Sequence, residues 1–448
     1  MRAIQRRRQE PPGSRLSSTK IHGTPPRPES EVDGGADRAP SHPVTHDVRF
    51  LETDQVRSAH NLFAATIHRG PMEDERWPRV ARSYSPGRTI GVHHGSTLVA
   101  TAMSFPSELV VPGGAVLPMA AVTRVGVRPD HTRRGLLSAM MRAQLDDVAA
   151  RGEPVATLRA SEARIYGRFG YGVATRGRDV TVRVTRPAWR PGAPQGGSVR
   201  LLDRDEILPA LQKVHEAVAL TRTGSMTRRD SWWWSSIGRR VEDREPVIAA
   251  VHTGDHGDDG FAVAFRGESH SFAEQTLELA DLHAADVQAT AGLWRFLLGV
   301  DLVGSVQADL RPLDEPLELL LASPRACVVT GHHDETWLRL VDVPAALAAR
   351  SYGVADPVLI AVHDPLLEKN AGVYRIAGAT AERVGPLGGP VTPQLECDVA
   401  ALAMAYLGDR TPSELVATGW WQAPDQAAVP HADAAFGTTA SPWCGTYF

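Results

Sequence analysis

The stretch Val125-Gly126-Val127-Arg128-Pro129-Asp130-His131-Thr132-Arg133-Arg134-Gly135-Leu136-Leu137-Ser138 constrains the fold of this chain more than any other. It reads as the end of a β-strand, a short loop with two adjacent cations and a glycine, and the start of a helix that runs to about Ala150. A helix start leaves backbone N–H groups without intrahelical partners, and the aligned peptide dipoles add positive potential there. Such a start, after a glycine-containing loop, is a place where phosphates bind. Gly135 lets backbone come close to an anion, while Arg133 and Arg134 add charge-assisted contacts. Gly126 within the apolar run predicts a bulge or a close ligand approach.

The flanking sequence predicts a mixed α/β domain. Val48–Leu51 is a short strand, followed by a helix capped near Thr53 with Val56, Ala59, Phe63 and Ile67 on one face. Strands are expected over residues 88–93 and 97–105 around His94-Gly95, over 115–127 after Pro112-Gly113-Gly114, and over 154–159; a short helix from Ser161 and a strand pair through 172–184 follow. This order places a cofactor-sized site where the central strand feeds the helix after Gly135. A Pro/Gly-rich run over 188–198 marks a boundary, and the helix, strands and helix beyond it repeat the first plan without its glycine loop. The third segment has strands over 337–341 and 358–362, helices over 344–351 and 398–407, and the end Pro442-Trp443-Cys444-Gly445-Thr446-Tyr447-Phe448. The expected organisation is a disordered extension over 1–45 and domains over 46–188, 189–333 and 334–448.

Composition removes several classes of function. A chain of 448 residues at ~150 per domain holds about three domains, and 42% hydrophobic content is ordinary for packed protein. With 48 Lys+Arg against 52 Asp+Glu there is no global basic field for nucleic acid. Cys327, Cys397 and Cys444 are too few and too scattered for a disulfide framework or a four-ligand zinc site. No apolar run approaches the ~20 residues that span a membrane. Residues 1–45 hold seven prolines and four glycines, with no aromatic residue before Phe50, so they cannot bury enough to offset ordering entropy. Acids at Glu29, Glu31, Asp33 and Asp37 make the Arg6-Arg7-Arg8 start a solvated tail rather than a tether, and Gln9-Glu10-Pro11-Pro12-Gly13 breaks any secretory apolar stretch. A cytoplasmic protein is expected.

Downstream lies Ala160-Ser161-Glu162-Ala163-Arg164-Ile165-Tyr166-Gly167-Arg168-Phe169-Gly170-Tyr171-Gly172. Together with Val125–Ser138 it resembles the Eis (enhanced intracellular survival) type of GCN5-related N-acetyltransferases. The resemblance continues through Leu293-Trp294-Arg295-Phe296 and Trp337-Leu338-Arg339-Leu340 with Val343-Pro344-Ala345-Ala346-Leu347, covering nearly all of 46–448. It implies tandem GNAT acetyltransferase folds, the second without cofactor, then a sterol-carrier-protein-like α/β domain, usually in a homohexamer. The cosubstrate implied is acetyl-CoA, with no metal. Its contacts would be Val125, Gly126 and Val127 on the strand, Arg133, Arg134, Gly135, Leu136, Leu137 and Ser138 on the loop, and Ser161 and Glu162 after the next strand. Thr132 stands where the wider superfamily has Arg or Gln, which removes one cationic phosphate contact.

Acetyl transfer to an amine needs the amine deprotonated, the oxyanion met by N–H donors, and the leaving thiolate protonated. The resemblance assigns the acid to Tyr166 and the base to the terminal carboxylate at Phe448. A Tyr near pKa ~10 giving its proton to a thiolate near ~8.5 climbs only about 2 kcal/mol. The other reading of Tyr166, a core residue bonding backbone through its hydroxyl, is what Tyr between glycines commonly does. A terminal carboxylate near ~3.5 facing an ammonium near ~10 is mismatched by ~8 kcal/mol, so burial, a lowered amine pKa or a relaying water must close the gap.

The expected acceptor is a primary amine of a polycation: an aminoglycoside, a polyamine or a lysine side chain. Glu73, Asp74, Glu75 and Trp77 lie in the loop where the resemblance places the acceptor pocket, while Tyr447 stands where an acid would help hold an ammonium. The competing reading is a non-catalytic oligomeric module binding a lipid or protein partner, for which Thr132 speaks and the Tyr166 motif speaks against. His93-His94 and His332-His333 are read as turn or surface residues, since neighbours on a strand face opposite ways. Two of Trp232, Trp233 and Trp234 are expected to pack against a neighbouring domain or subunit. Cys444 has no His partner to make it a nucleophile.

Overall fold

The apolar alternation on either side of Pro112-Gly113-Gly114 folds as a long hairpin at the centre of a seven-stranded sheet. This is seen in a computed structural model that describes residues 46–183, 189–268 and 274–448; the extension expected over 1–45 lies outside them. β1 (Asp47–Phe50), β2 (Thr89–His94), β3 (Thr97–Val110) and β4 (Val116–Val127) pair antiparallel in turn. From β4 the chain crosses through α3 (Leu136–Ala150) to β5 (Val155–Leu158), which lies parallel to β4. The face of α3 carrying Leu136, Met140, Met141, Leu145 and Val148 is buried, as its apolar spacing requires. α1 (Val56–Thr66) covers the sheet near the cleft, with α2 (Trp77–Ala81) after it. The predicted cap at Thr53 is instead a short 3-10 turn over Thr53–Gln55, boxed by Glu52 and Gln55.

Two strands cross the expected domain limits. After β6 (Gly172–Val173), β7 (Arg176–Arg183), expected in the first domain, belongs to the second sheet. That sheet holds β8 (Ser198–Leu201), β9 (Val247–Gly254), β10 (Gly257–Arg266), β11 (Gln275–Ala284), β12 (Val303–Pro312) and β13 (Cys327–Asp334) in the order β13-β7-β12-β11-β10-β9-β8. β14 (Trp337–Leu340), expected in the third domain, is inserted in the first sheet between β5 and β6. All four of its residues are buried, so it needs cover on both faces and cannot serve as a surface linker.

The second sheet repeats the first plan: a β9–β10 hairpin, β11, a helix over Val287–Leu298, and β12 parallel to β11. The difference lies at the helix start. Asp286 caps that helix, its Oδ1 accepting the Ala289 N–H at 2.9 Å. Gly135 stands at the equivalent start of α3, which has no side-chain cap. The second helix thus supplies its own carboxylate where the first leaves its N–H donors open to an external anion.

The third sheet, β17-β16-β15-β18-β19, comprises β15 (Val358–His363), β16 (Gly372–Ala377), β17 (Thr380–Gly385), β18 (Leu395–Asp398) and β19 (Trp421–Gln422). Its core is continuous with that of the first sheet: Met119, Val155 and Leu338 share a cluster with Tyr374, Trp421 and Phe436, and Cys444 joins it. Inside this joint core, Arg339 donates twice to Asp364, at 2.8 Å each, compensating a fully buried charge. Among the described residues no helix is long and apolar enough to cross a membrane.

Candidate active site

The cleft begins where two strands part. The pairing of β4 with β5 stops at Val122↔Leu158, while β4 continues to Val127. A register shift against β3 accompanies Arg124, whose φ of 52° is a left-handed bulge conformation. Beyond Val122 the β5-side edge of β4, including Val125 and Val127, faces no strand among the described residues, so its backbone is available to an extended ligand. The bulge predicted at Gly126 therefore sits at Arg124. A Cβ on Gly126 would lie 2.7 Å from Thr66 Oγ1, so its bare Cα serves the packing of α1.

Past β4 the loop has the geometry that anion binding requires. Arg133 (φ 60°) and Gly135 (φ 78°) are both left-handed, turning successive N–H groups to one side. Nothing lies within 4 Å of where a Cβ on Gly135 would be. Leu136 is buried with Ile90 and Val92, leaving its backbone N–H as its outward group; Leu137 is half-buried and Ser138 exposed. Arg134 Nη2 donates to Asp130 O at 2.9 Å, and Arg133 is exposed. Thr132 donates to Pro129 O at 3.1 Å, spending its hydroxyl inside the loop. These groups fit a pyrophosphate-bearing cosubstrate such as acetyl-CoA.

A cavity of about 400 Å³ opens from the parted strands and is lined by Val125, Ser161, Tyr166 and Phe448 together. Tyr166 ends α4 (Ala163–Tyr166), whose start is capped by the Glu162 carboxylate accepting the Arg164 N–H at 3.3 Å. Glu162 thus holds the helix, while Ser161 faces the cavity. Two of the glycines after Tyr166 fit a crowded wall: a Cβ on Gly170 would fall 2.8 Å from the Arg339 guanidinium, and one on Gly172 2.1 Å from Ala400 O. The Tyr166 ring is buried beside Tyr171 at 6.1 Å, and its hydroxyl makes no hydrogen bond to backbone among the described residues. Burial pushes its pKa up.

The chain's last residues cross this cavity in an arrangement that sequence reading did not find. Glu335, buried at the β13–β14 junction, accepts the Cys444 N–H at 3.0 Å and the Gly445 N–H at 2.8 Å, as well as Arg159 Nη2 at 3.0 Å and Thr175 Oγ1 at 2.9 Å. Arg159 also donates to Thr446 O. Arg228 holds Gly445 O at 2.6 Å and Thr446 Oγ1 at 2.9 Å, with Asp281 as its counter-ion. Burial works against the Asp281 charge, but Arg228 and His283 outweigh it and hold the carboxyl below the usual range. Trp232 Nε1 donates to Tyr447 O at 2.6 Å, and the Phe448 ring meets Phe105 edge-on at 5.7 Å. Of the three tryptophans, Trp233 is in the core of the second sheet, Trp232 clamps the tail, and Trp234 donates to Glu242 at 3.0 Å. Burial pushes the Cys444 thiol up, the wrong direction for a nucleophile.

The acidic loop expected at the acceptor pocket lies elsewhere. Asp74 pairs with Arg57, Glu73 with Arg76, and Trp77 packs on His60 and Tyr84. None of them, nor Glu75, lines the cavity. Its charged side chains are Arg69, Arg124, Arg159 and Arg229.

Comparison with known proteins agrees with this architecture. Residues 47–174 and 224–340 each match a model of an acetyltransferase (GNAT) domain, and 343–445 match a sterol carrier protein domain. An N-acetyltransferase of Streptomyces avermitilis is 34% identical over 425 residues, 91% of this chain and all of that one. The N-acetyltransferase Eis of Mycobacterium tuberculosis is 33% identical over 359 residues, 77% of this chain and 85% of the relative. The crystal structure of Eis1 from Mycobacterium abscessus superposes with a TM-score of 0.80 at 37% identity, covering 90% of this chain and 100% of that one.

Proposed function

Because the chain belongs to the Eis type of GCN5-related N-acetyltransferases, we propose that its cleft transfers acetyl from acetyl-CoA directly to a primary amine, with Tyr166 as general acid and the Phe448 carboxylate as general base. What carries this reading is the meeting of Tyr166 and Phe448 in one cavity at the open edge of β4. Acetyl-CoA supplies the thioester; its phosphates would lie on the N–H groups of the Arg133–Ser138 turn. The amine nitrogen attacks the thioester carbonyl, the C–N bond forms and the C–S bond breaks. The amine proton goes to the Phe448 carboxylate, and the leaving thiolate takes the Tyr166 proton. Amides on the β4 edge are the donors for the oxyanion.

The proton mismatch at the base narrows in this setting. A chamber lined by apolar rings and guanidinium groups disfavours an ammonium, lowering the amine pKa toward the carboxylate's. The tail clamp supplies the positioning that makes a chain end usable as a base.

The charged side chains of the cavity itself are arginines, so a polycationic acceptor would have to place its further ammonium groups past Tyr447, in the adjoining chamber of about 680 Å³ that Asp179, Glu278, Asp309 and Asp334 help to line. The family also associates this architecture with a homohexamer, which light scattering of the full chain measures. The enzymatic reading is tested by thiol release from acetyl-CoA with a panel of amines, using the full chain, Tyr166→Phe, and a variant extended beyond Phe448. Loss of turnover in both variants with acetyl-CoA still bound supports it. Full activity of the extended chain removes the base from Phe448, and acetyl-CoA binding without release for any amine favours the binding-module alternative.

A further inference from the structure

We infer that the acceptor carries an anionic group, a carboxylate or a phosphate, at the far end of an apolar body from the amine that is acetylated. This rests on the acetyl-transfer reading of the same cleft, and it follows from which charges there already have partners. Of the four guanidinium groups lining the cavity, only Arg159 is matched by a carboxylate, that of Glu335. Arg69 makes no side-chain hydrogen bond or ion pair among the described residues. Among the described residues Arg124 has no carboxylate partner: it lies over the Tyr84 ring, 4.4 Å from its Cζ, interacts with the Tyr84 hydroxyl, and reaches Met103 Sδ at 3.3 Å. Arg229 has Ser85 Oγ at 3.0 Å and the Phe105 ring. Arg88 beside it is already paired with Glu153, and the Asp230 carboxylate next to it accepts from Gln212 at 3.2 Å. The cavity's other carboxylate is the chain terminus at Phe448, which makes no ion pair with Arg69, Arg124 or Arg229 among the described residues; guanidinium groups gathered without carboxylate partners are the arrangement that binds carboxylate or phosphate.

The donor substrate does not account for them. The turn that would take the acetyl-CoA phosphates, Arg133–Ser138, is not among the lining of this cavity. Nor does the neighbouring chamber make a strong site for cations. Asp179 is bonded to His333 at 2.6 Å and to the Leu310 N–H at 2.9 Å. Asp334 accepts the Trp337 indole N–H, Glu278 faces Arg240, and Asp281 is paired with Arg228. Asp309 has no such partner among the described residues, and burial, with Asp179 nearby, pushes its carboxyl toward the neutral form. The acids are therefore largely committed, whereas three of the arginines are not. Phe63, Phe105 and Trp232 in the same lining give apolar contact for the acceptor's body.

The experiment compares kcat/KM, by thiol release, for primary amines matched in length and aromatic body but ending in a carboxylate, a phosphate, a neutral amide or a second ammonium. The expected result is a preference of at least about tenfold for one or both anionic acceptors over the amide, and more over the diamine. The two anionic arms identify which group is recognised. In Arg124→Gln, Arg229→Gln and Arg69→Gln, that ratio falls toward one in at least two variants; a change in folding would scale both acceptors and leave the ratio intact. Equal use of all acceptors, preference for the diamine, or an anion preference that survives all three substitutions overturns the inference while leaving acetyl transfer standing. If no amine supports release although acetyl-CoA binds, the acetyl-transfer reading falls and this inference falls with it.

Discussion

Glu335 and Arg159 meet at 3.0 Å, both buried, and together they take the Cys444 and Gly445 N–H groups and the Thr446 carbonyl. Their counter-charge is mutual, so the pair can stay buried while it binds the backbone of the tail. Glu335→Gln leaves Arg159 uncompensated and weakens the clamp. A stability loss of about 3 kcal/mol is expected from breaking such a pair. Hydrogen exchange of residues 443–448 should accelerate, and turnover should drop at least about tenfold with acetyl-CoA affinity nearly unchanged. Full turnover with a freed tail would show that the clamp has no role in catalysis.

Tyr166→Phe removes the proposed acid and nothing that is hydrogen-bonded to backbone. General acid catalysis contributes about 10²–10⁴-fold, so kcat should fall by that order while KM for acetyl-CoA stays within a factor of a few. Because burial raises the Tyr166 pKa, the hydroxyl keeps its proton through ordinary alkaline pH. The rate of the unmodified enzyme should therefore rise as the amine deprotonates and show no decline from the acid up to about pH 9.5. A descending limb below that pH, absent in the Phe variant, would contradict the raised pKa.

Gly126→Ala sets a methyl 2.7 Å from Thr66 Oγ1 and 3.1 Å from its Cγ2. Overpacking of this kind costs about 1–3 kcal/mol. Adding Thr66→Ala removes both atoms, so the double variant should recover most of that loss in a denaturant titration. If Gly126→Ala is neutral for stability yet abolishes acetyl-CoA binding, the glycine serves the ligand and not α1.

His60, buried against Trp77 and Tyr84, is held down to about 4, chiefly by burial and then by Arg124. Above pH 6.5 it is neutral whether folded or unfolded and contributes no pH dependence. As pH falls from 6.5 toward 4 the unfolded chain takes up a proton that the folded one refuses, so stability declines across that window. The decline from this group approaches about 3 kcal/mol at the bottom. In His60→Gln, Tm should vary less between pH 6.5 and 4; an unchanged slope would place the titration elsewhere.

Much of the catalytic fold was legible from local pattern. The period-2 runs on either side of Pro112-Gly113-Gly114 became β3 and β4, and the Gly135 turn before a 3.6-period run became the uncapped start of α3. Tyr166 stood out through its motif and lies in the cleft. What local pattern misplaced were β7 and β14, because a strand's own residues report that it will be buried and not which sheet edge will cover it. The acids at Glu73–Glu75 misled for a related reason: charge in a loop says nothing about direction, and here Arg57 and Arg76 pair with Asp74 and Glu73.

The elements, the left-handed turn at Arg133–Gly135, the family and the Tyr166 motif were thus legible along the chain, since each depends on neighbours a few residues apart. The tail clamp and the charge lining the cleft emerge only on folding. Arg159, Arg228, Glu335 and Phe448 come from distant parts of the chain, and in sequence a buried ion looks like any surface one. Its burial becomes affordable only when a partner from another segment arrives, so the site's electrostatics exist only in the folded arrangement.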